Sequence, residues 1–109
     1  MKEKQYLKIK NKGRSEEICP SDIGYISALQ NYVKLHLKNG SSFIVHSTLK
    51  RCYDMLNPSG FVMVHKSYIV NTCYIDTISG RQLLLKGMGE VPIGRLYKPN
   101  VQAIVHHGK

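Results

Sequence analysis

The chain has 109 residues, of which 42 % are hydrophobic; this suits one folded domain spanning residues 1–109 and excludes a disordered chain. Sixteen Lys and Arg residues against seven Asp and Glu residues give a formal net charge of +9, which indicates an anionic partner such as a nucleic acid. The apolar runs fall far short of the roughly 20 residues that cross a bilayer, and the N-terminal residues lack the hydrophobic region of a signal peptide. We therefore expect a cytoplasmic protein with no membrane partner.

The first part of the chain alternates apolar and polar residues, a period of two that is typical of β-strands with one buried face. Residues 32–38 show it best, because three apolar residues face one way and three basic residues face the other, toward solvent. Asn39-Gly40 then predicts a hairpin turn, since both residues tolerate positive φ. The strands predicted in this part are 6–10, 15–19, 23–29, 32–38 and 42–46.

One segment has a helical period instead. Apolar residues at i, i+3, i+4 and i+7 from Leu49 predict an amphipathic helix over residues 48–56. Ser47 or Thr48 can cap its N-terminus through a side-chain oxygen, and Pro58 ends it because proline cannot continue the hydrogen-bond ladder. The stripe indicates ordinary core packing.

Strands return after this helix. A short C-terminal helix is indicated over residues 95–107, but Pro99 disfavours helical backbone before it, so we expect Lys98 outside regular helix. The predicted fold is all-β and mainly antiparallel, with one short amphipathic helix and one short C-terminal helix. The strands predicted in this part are 61–64, 68–71, 82–86 and 90–93, with 74–78 a strand or a single turn leading into one.

The sequence contains no pattern typical of catalysis or metal binding. Gly87-Met88-Gly89 begins like a dinucleotide fingerprint, but Pro92 stands where the third glycine belongs. The carboxylates form no evident acid/base pair, the five histidines match no zinc spacing, and the three cysteines include no C-x-x-C. We therefore expect no enzymatic activity, no cofactor and no metal ion.

Residues 61–71 carry the most informative pattern: an apolar run, a break at His65-Lys66-Ser67, and a second apolar run that closes on Asn71. This stretch, FVMVHKSYIVN, resembles the FvrvHrSyiVN segment of the LytTR family of DNA-binding domains. Further segments that resemble the family in the same order are Asn31-Tyr32-Val33, Ser47-Thr48-Leu49, and residues 91–95 with Tyr97. The resemblance covers essentially the whole chain, and Gly94 departs from it where serine is usual.

The resemblance implies an elongated multi-sheet sandwich of about ten strands whose loops, rather than a helix, enter DNA grooves. It also implies base contacts from three loop residues, Asn31, Lys66 and Arg95. Their chemistry agrees, because arginine and lysine donate to guanine O6 and N7, and asparagine can make two hydrogen bonds to adenine.

The remaining site residues fall into two groups. Six residues near these loops are expected to contact phosphates and to set the register without reading sequence. A solvated charge is the alternative for each lysine among them. His65 and Asn71 are expected to hold loop backbone through hydrogen bonds, because a polar side chain at the end of a buried strand needs partners. The six expected phosphate contacts are Lys34, Lys50, Arg51, Ser67, Tyr97 and Lys98.

By the same resemblance, the chain is a bacterial transcription regulator that binds double-stranded DNA at direct-repeat sites, with a dimer forming on DNA. It is either a stand-alone regulator or the effector domain of a two-component response regulator, whose phosphoacceptor receiver domain is then a partner. Two other classes stay open from the residues alone. One is a β module for RNA or single-stranded nucleic acid. The other is a non-catalytic protein-interaction module that uses a sheet edge.

Overall fold

The computed structural model describes residues 7–11 and 13–107, and the described residues form a mainly antiparallel β structure. Two α-helices, α1 (Leu49–Leu56) and α2 (Lys98–His107), accompany the strands. The predicted all-β class with two short helices is confirmed. The ten strands are β1 (Leu7–Asn11), β2 (Arg14–Ile18), β3 (Ile23–Leu29), β4 (Tyr32–Leu37), β5 (Ser42–Val45), β6 (Phe61–His65), β7 (Tyr68–Asn71), β8 (Ile75–Ser79), β9 (Gln82–Leu85) and β10 (Gly89–Pro92).

The strands form three sheets, of which the central one has five strands in the order β5-β4-β3-β7-β6. This sheet is covered on both faces: Ile69 and Val70 are neighbours in β7, point to opposite faces, and belong to two different cores. The first core contains the β1-β2 hairpin and α1. The second contains the three-stranded sheet β10-β9-β8 and α2. The result is a layered sandwich with extents of 40 × 38 × 24 Å.

Helix α1 lies where the helical period predicts it. Of the two residues expected as its cap, Thr48 caps the helix: its side-chain oxygen accepts a hydrogen bond from the Arg51 N–H at 3.2 Å. The predicted apolar stripe is buried in the first core. After the helix a 3₁₀ turn, Asn57–Ser59, leads to Gly60, whose φ of 91° reverses the chain into β6.

The predicted hairpin turn at Asn39-Gly40 joins β4 to β5. Within it only Gly40 has positive φ (93°), and Asn39 accepts a hydrogen bond from the Ser41 N–H at 2.8 Å through its side-chain oxygen. One local prediction was wrong. Lys98 is helical (φ −60°, ψ −41°), and α2 begins there. Pro99 is tolerated because it stands in the first turn, where its missing N–H would have no intrahelical acceptor.

The predicted strand bounds hold for β3 and β7 and differ by one residue at the ends of most others. Residues 74–78 divide into a 3₁₀ turn that ends at Tyr74 and the strand β8. Tyr6, the first residue of the predicted strand 6–10, lies outside the described residues.

Candidate nucleic-acid interface

At one end of the central sheet, two neighbouring turns connect β3 to β4 and β6 to β7. This end of the sheet is called the turn end. Both β4 and β7 pair antiparallel with β3, so the β3–β4 turn (Gln30-Asn31) and the β6–β7 turn (Lys66-Ser67) lie at the same end of the sheet. The last part of β3 holds the β6–β7 turn beside the β3–β4 turn through a hydrogen bond in which the Ala28 N–H donates to the Ser67 carbonyl at 2.9 Å. Two of the three predicted base-contacting residues, Asn31 and Lys66, are therefore brought together.

The third predicted base-contacting residue, Arg95, lies at the same end of the sheet, although it follows β10 and is far from the other two in sequence. The Gly94 N–H donates to the Val64 carbonyl at 2.8 Å, which holds this segment against β6. A Cβ atom at Gly94 would lie 3.0 Å from Tyr97 Cδ2 and 3.4 Å from His65 Cα, so the segment packs too closely for a side chain to enter without displacing the tyrosine ring. The close approach gives a physical reason for glycine where the family pattern has serine. Arg95 thus stands beside the end of β6.

Asn31, Lys66 and Arg95 are all solvent-exposed. Their side chains form no hydrogen bond and no ion pair with any other described residue. A polar side chain with unmet hydrogen-bonding capacity can bind a ligand without first breaking an internal contact. The three are therefore free to contact an external partner.

The six expected phosphate contacts lie on both sides of this row of turns. Ser67 is within the row, and the other five are on the elements that flank it. Lys34 points away from the first core, because its neighbours Val33 and Leu35 belong to that core. Helix α2 packs in the second core, on the face of the central sheet toward which Lys34 points. Lys98 is the first residue of α2, and Tyr97 directly precedes it. Lys50 and Arg51 are exposed in the first turn of α1 on the opposite face.

Of the four expected phosphate-contacting lysines and arginines, Lys50 is the one with an ion-pair partner among the described residues. Its ammonium group is 3.7 Å from the Asp54 carboxylate, and both side chains are largely exposed. An exposed i,i+4 pair of this kind contributes about 0.3–0.5 kcal/mol to stability, so it is easily exchanged for a phosphate.

His65 is hydrogen-bonded inside the β6–β7 turn. Its Nδ1 accepts from the Ser67 N–H at 3.0 Å, and its ring meets the Tyr68 ring edge-on at a centroid distance of 5.5 Å. Because Nδ1 accepts, the neutral ring carries its proton on Nε2. These contacts fix the backbone that presents Lys66.

Asn71 lies at the opposite end of β7 and is 2 % exposed. Its amide nitrogen donates to the Ile23 carbonyl at 2.9 Å and to the Pro20 carbonyl at 3.5 Å. Its side-chain oxygen accepts from the Cys73 N–H at 3.0 Å. One side chain therefore ties together the starts of β3 and of the turn after β7, away from the turn end.

His36 corrects the expectation of a wholly solvent-exposed basic face on β4. It is half-buried, stacks on Tyr25 at a ring-centroid distance of 4.0 Å, and shares a 3.0 Å hydrogen bond with the Ser27 hydroxyl. Burial lowers the pKa of His36, and the nearby Lys34 charge lowers it further. The second layer of the sandwich covers this part of the face, which alternation within one strand does not reveal.

Sequence reasoning did not single out two turn-end residues that the structure places there. His46 follows β5 and packs edge-on against Tyr32 at a ring-centroid distance of 5.1 Å, and both are exposed. Pairing of Val33 with Val45 brings them together, so the register of the predicted hairpin is the signal that could have found His46. Gln30 has a positive φ of 54°, a conformation that is uncommon for a residue other than glycine.

Two other kinds of site were tested on the described residues. Neither described helix is long and apolar enough to cross a bilayer. In residues 7–11 and 13–107, no three His, Cys, Asp or Glu side chains are grouped as a metal site requires.

Known proteins share the fold of this chain and part of its sequence. The structure is similar to the LytTr DNA-binding domain of a response regulator from Bacillus cereus, with a TM-score of 0.77 and 18 % identity, covering 94 % of this chain and 98 % of that one. The sensory transduction protein LytT of Bacillus subtilis is 33 % identical over 70 residues, which are 60 % of this chain and 29 % of that protein. A response regulatory protein of Vibrio cholerae is 28 % identical over 92 residues, which are 82 % of this chain and 34 % of that protein.

The chain thus spans about a third of the length of these curated relatives. At 18 % identity the structural similarity supports the fold alone, so membership rests on the sequence. Residues 13–106 match the family model described as the LytTr DNA-binding domain. With that match over most of its length, the chain belongs to the LytTR family of DNA-binding domains.

Proposed function

We propose that the chain binds double-stranded DNA sequence-specifically through the turn end and acts as the DNA-binding part of a bacterial transcription regulator. The observation that carries the proposal is the meeting of three exposed polar side chains that have no partner among the described residues: Asn31 and Lys66 on adjacent turns, and Arg95 in the 3₁₀ segment beside β6. Basic residues flank this row on both faces of the sheet, and the net charge of +9 suits a polyanionic partner.

The three turn residues take the base-contacting roles. The Arg95 guanidinium has a planar set of donors that matches guanine O6 and N7 in the major groove, and the Lys66 ammonium can donate to the same acceptors. The Asn31 amide both donates and accepts, which matches the N6 and N7 edge of adenine. Asn31 and Lys66 project from turns of the central sheet, and Arg95 begins the 3₁₀ helix Arg95–Tyr97, which the Gly94–Val64 hydrogen bond holds beside β6, so their relative positions are set before DNA binds.

The flanking residues take the phosphate-contacting roles. Lys34, Tyr97 and Lys98 face one strand of the duplex backbone, and Lys50 and Arg51 face the other. Such contacts set the register of the protein and supply affinity for any sequence. His65 and Asn71 act indirectly, since the hydrogen bonds described above hold the backbone around the turns and around the far end of β7.

The wider setting of this domain follows from its relatives. Two of them are described as a sensory transduction protein and a response regulatory protein, and both are about three times as long as the matched region. We propose that this chain acts with a phosphoacceptor receiver domain and binds paired direct-repeat half-sites as a dimer on DNA. Its action is binding without catalysis.

Selection of bound duplexes from a random pool tests the proposal. A short motif, repeated at a spacing of about one helical turn (roughly 10 base pairs), is expected. Recovery of no enriched motif would contradict sequence-specific recognition. A preference for single-stranded RNA over duplex in direct competition would instead favour a single-strand-binding β module. Binding that does not weaken with salt would favour a protein-interaction module, because phosphate contacts release counterions.

A further inference from the structure

A cleft lies between the β1-β2 hairpin and α1, above the first face of the central sheet, and its interior takes no part in the proposed DNA binding. Its volume is about 410 Å³, within the range of about 300–1,000 Å³ that is usual for small-molecule sites. Its floor and walls are mostly apolar. The apolar lining residues are Leu7, Ile9, Val33, Leu35, Val45 and Met55.

The mouth of this cleft, by contrast, is basic. Lys10 of β1 and Arg51 of α1 come from the two elements that bound the cleft, and Lys8 and His46 also line it. No Asp or Glu is among the described residues that line the cleft. The cross-strand neighbour of Lys10 is Ser15, and Lys10 forms no ion pair with any of the described residues. An apolar interior with a cationic mouth is complementary to an anionic amphiphile.

Met55 provides a second, independent observation. It is 56 % exposed although it is a large apolar side chain, and it lies one helical turn after Arg51 at the same mouth. A flexible thioether side chain at the rim can cover a ligand that enters the cleft. Burial by such a ligand would explain an exposed methionine on this face of α1.

We propose that the cleft binds a medium-chain fatty acid as its monoanion, with the alkyl chain over Val33, Leu35 and Val45 and the carboxylate between Lys10 and Arg51. The hydrogen-bonding groups inside are few: the Ser47 hydroxyl already accepts a weak bond from the Cys52 thiol (3.9 Å). The interior therefore suits an alkyl chain better than a sugar or a base, whose polar atoms would lose hydrogen bonds to water.

An extended peptide strand fits the cleft poorly. The facing edges of β1 and β5 approach to Cα–Cα distances of 8 Å or less. A strand inserted between them would need two inter-strand spacings, which total roughly 9.6 Å. Pairing of a peptide with both edges would therefore require the hairpin to move outward, whereas an alkyl chain requires no such movement.

Binding of the fatty acid stands independently of DNA binding, and one consequence rests on the proposed function. Arg51 belongs both to the mouth of the cleft and to the proposed phosphate contacts. A carboxylate held by Arg51 would compete with a phosphate for the same guanidinium, so an occupied cleft would lower DNA affinity.

Titration of the isolated chain with hexanoate, octanoate and decanoate, each kept monomeric and without DNA, tests the site. Calorimetry gives the Kd, and amide NMR shifts locate the ligand. Each added methylene should tighten binding about fourfold until the chain fills the cleft. Shifts should concentrate in β1, β4, β5 and α1. Decanol and decyltrimethylammonium should bind at least several-fold more weakly than decanoate.

Two charge reversals in the same helical turn give a matched comparison. Arg51→Glu should weaken decanoate binding about fivefold or more, because an attractive partner is replaced by a repulsive one at the mouth. Lys50→Glu makes the same change of charge at an exposed residue that does not line the cleft, so it should change the Kd less than twofold. Both residues are exposed, so the fold should survive either change.

The outcomes decide the proposal without reference to DNA. Saturable decanoate binding at the cleft, with the preference for an anion and the difference between the two variants, supports it. Shifts scattered over the surface, equal affinity for the anion and the cation, equal weakening by Lys50→Glu, or no binding would each overturn it. Loss of DNA binding by Arg51→Glu bears on the proposed function alone.

Discussion

At the scale of single residues, Arg95 and Lys98 lie three positions apart in the segment held against β6. Arg95 is proposed to contact a base, whereas Lys98 is proposed to contact a phosphate. Arg95→Ala should lose about 1–3 kcal/mol of binding free energy on the preferred sequence, because a two-point contact with guanine disappears. Binding to random duplex should change much less. Competition titrations on the selected motif and on scrambled DNA measure the two losses.

Lys98→Ala is the matched comparison for Arg95→Ala. It should weaken binding to all sequences alike and reduce the slope of log K against log salt concentration by about one unit, since one phosphate contact is lost. If Arg95→Ala weakened specific and random binding by the same factor, Arg95 would have to be removed from the base-contacting set.

Asn71 gives a prediction about stability rather than recognition. Asn71→Ala leaves the Ile23 carbonyl and the Cys73 N–H without their partner in a site that is 2 % exposed. The free energy of unfolding should fall by about 2–3 kcal/mol, as measured by urea denaturation. DNA affinity of the folded variant should stay the same, because Asn71 lies at the end of β7 opposite the turn end.

Thr72→Val is the control for that experiment. The Thr72 hydroxyl donates to the Gly60 carbonyl at 2.8 Å, but this bond is exposed, so water can replace it and the loss should stay below about 1 kcal/mol. Equal losses for the two variants would show that burial does not decide the contribution of Asn71.

At the scale of secondary structure, strands could be predicted wherever an alternating segment or an apolar run ends at a clear turn, as for β3 and β7. The position of Arg95 could not be predicted in this way, because it depends on a hydrogen bond from the Gly94 N–H to the carbonyl of Val64, thirty positions earlier. That bond holds Arg95 at the turn end. Burial of His36 depends on Tyr25 from another strand, which a period of two within β4 does not encode. The candidate site residues themselves came from the family resemblance; periodicity supplied only the strands between them.

Packing between two sheets is tested at Gly24 of β3. A Cβ atom there would overlap Sδ of Met88, which lies over β3 from the β9–β10 turn. Gly24→Ala should lower the free energy of unfolding by about 1 kcal/mol, at the mild end of overpacking because the methionine is flexible. In a Met88→Ala background the same change should become neutral or stabilising, since alanine is preferred over glycine within a strand.

Chemical denaturation of the four proteins in this cycle gives the coupling between the two positions. A coupling of about zero would mean that Met88 moves away from β3 in solution. The cycle therefore tests whether the three-stranded sheet is docked on the central sheet as described.

At the scale of the whole molecule, the layering supports the proposal that the turn end is the recognition surface. The central sheet is packed on both faces, so the turn end projects from a rigid layer while its own residues stay exposed. Recognition by turns then needs no inserted helix; α1 and α2 serve mainly to cover the two faces. The distribution of charge, rather than its total, decides where a polyanion binds.

Lys66 and Lys86 test that distribution, because both are exposed lysines in turns between strands. Lys66 is at the turn end, whereas Lys86 belongs to the turn whose Met88 covers Gly24, at the other end of β3. The seven residues of β3, at about 3.3 Å each, separate these ends by roughly 20 Å, more than twice the Debye length of about 8 Å at physiological salt. Lys66→Glu should therefore weaken duplex binding more than tenfold, and Lys86→Glu less than twofold, although both lower the net charge by two. Fluorescence anisotropy with one labelled duplex at 0.15 M salt compares them, and equal losses would place the DNA away from the turn end.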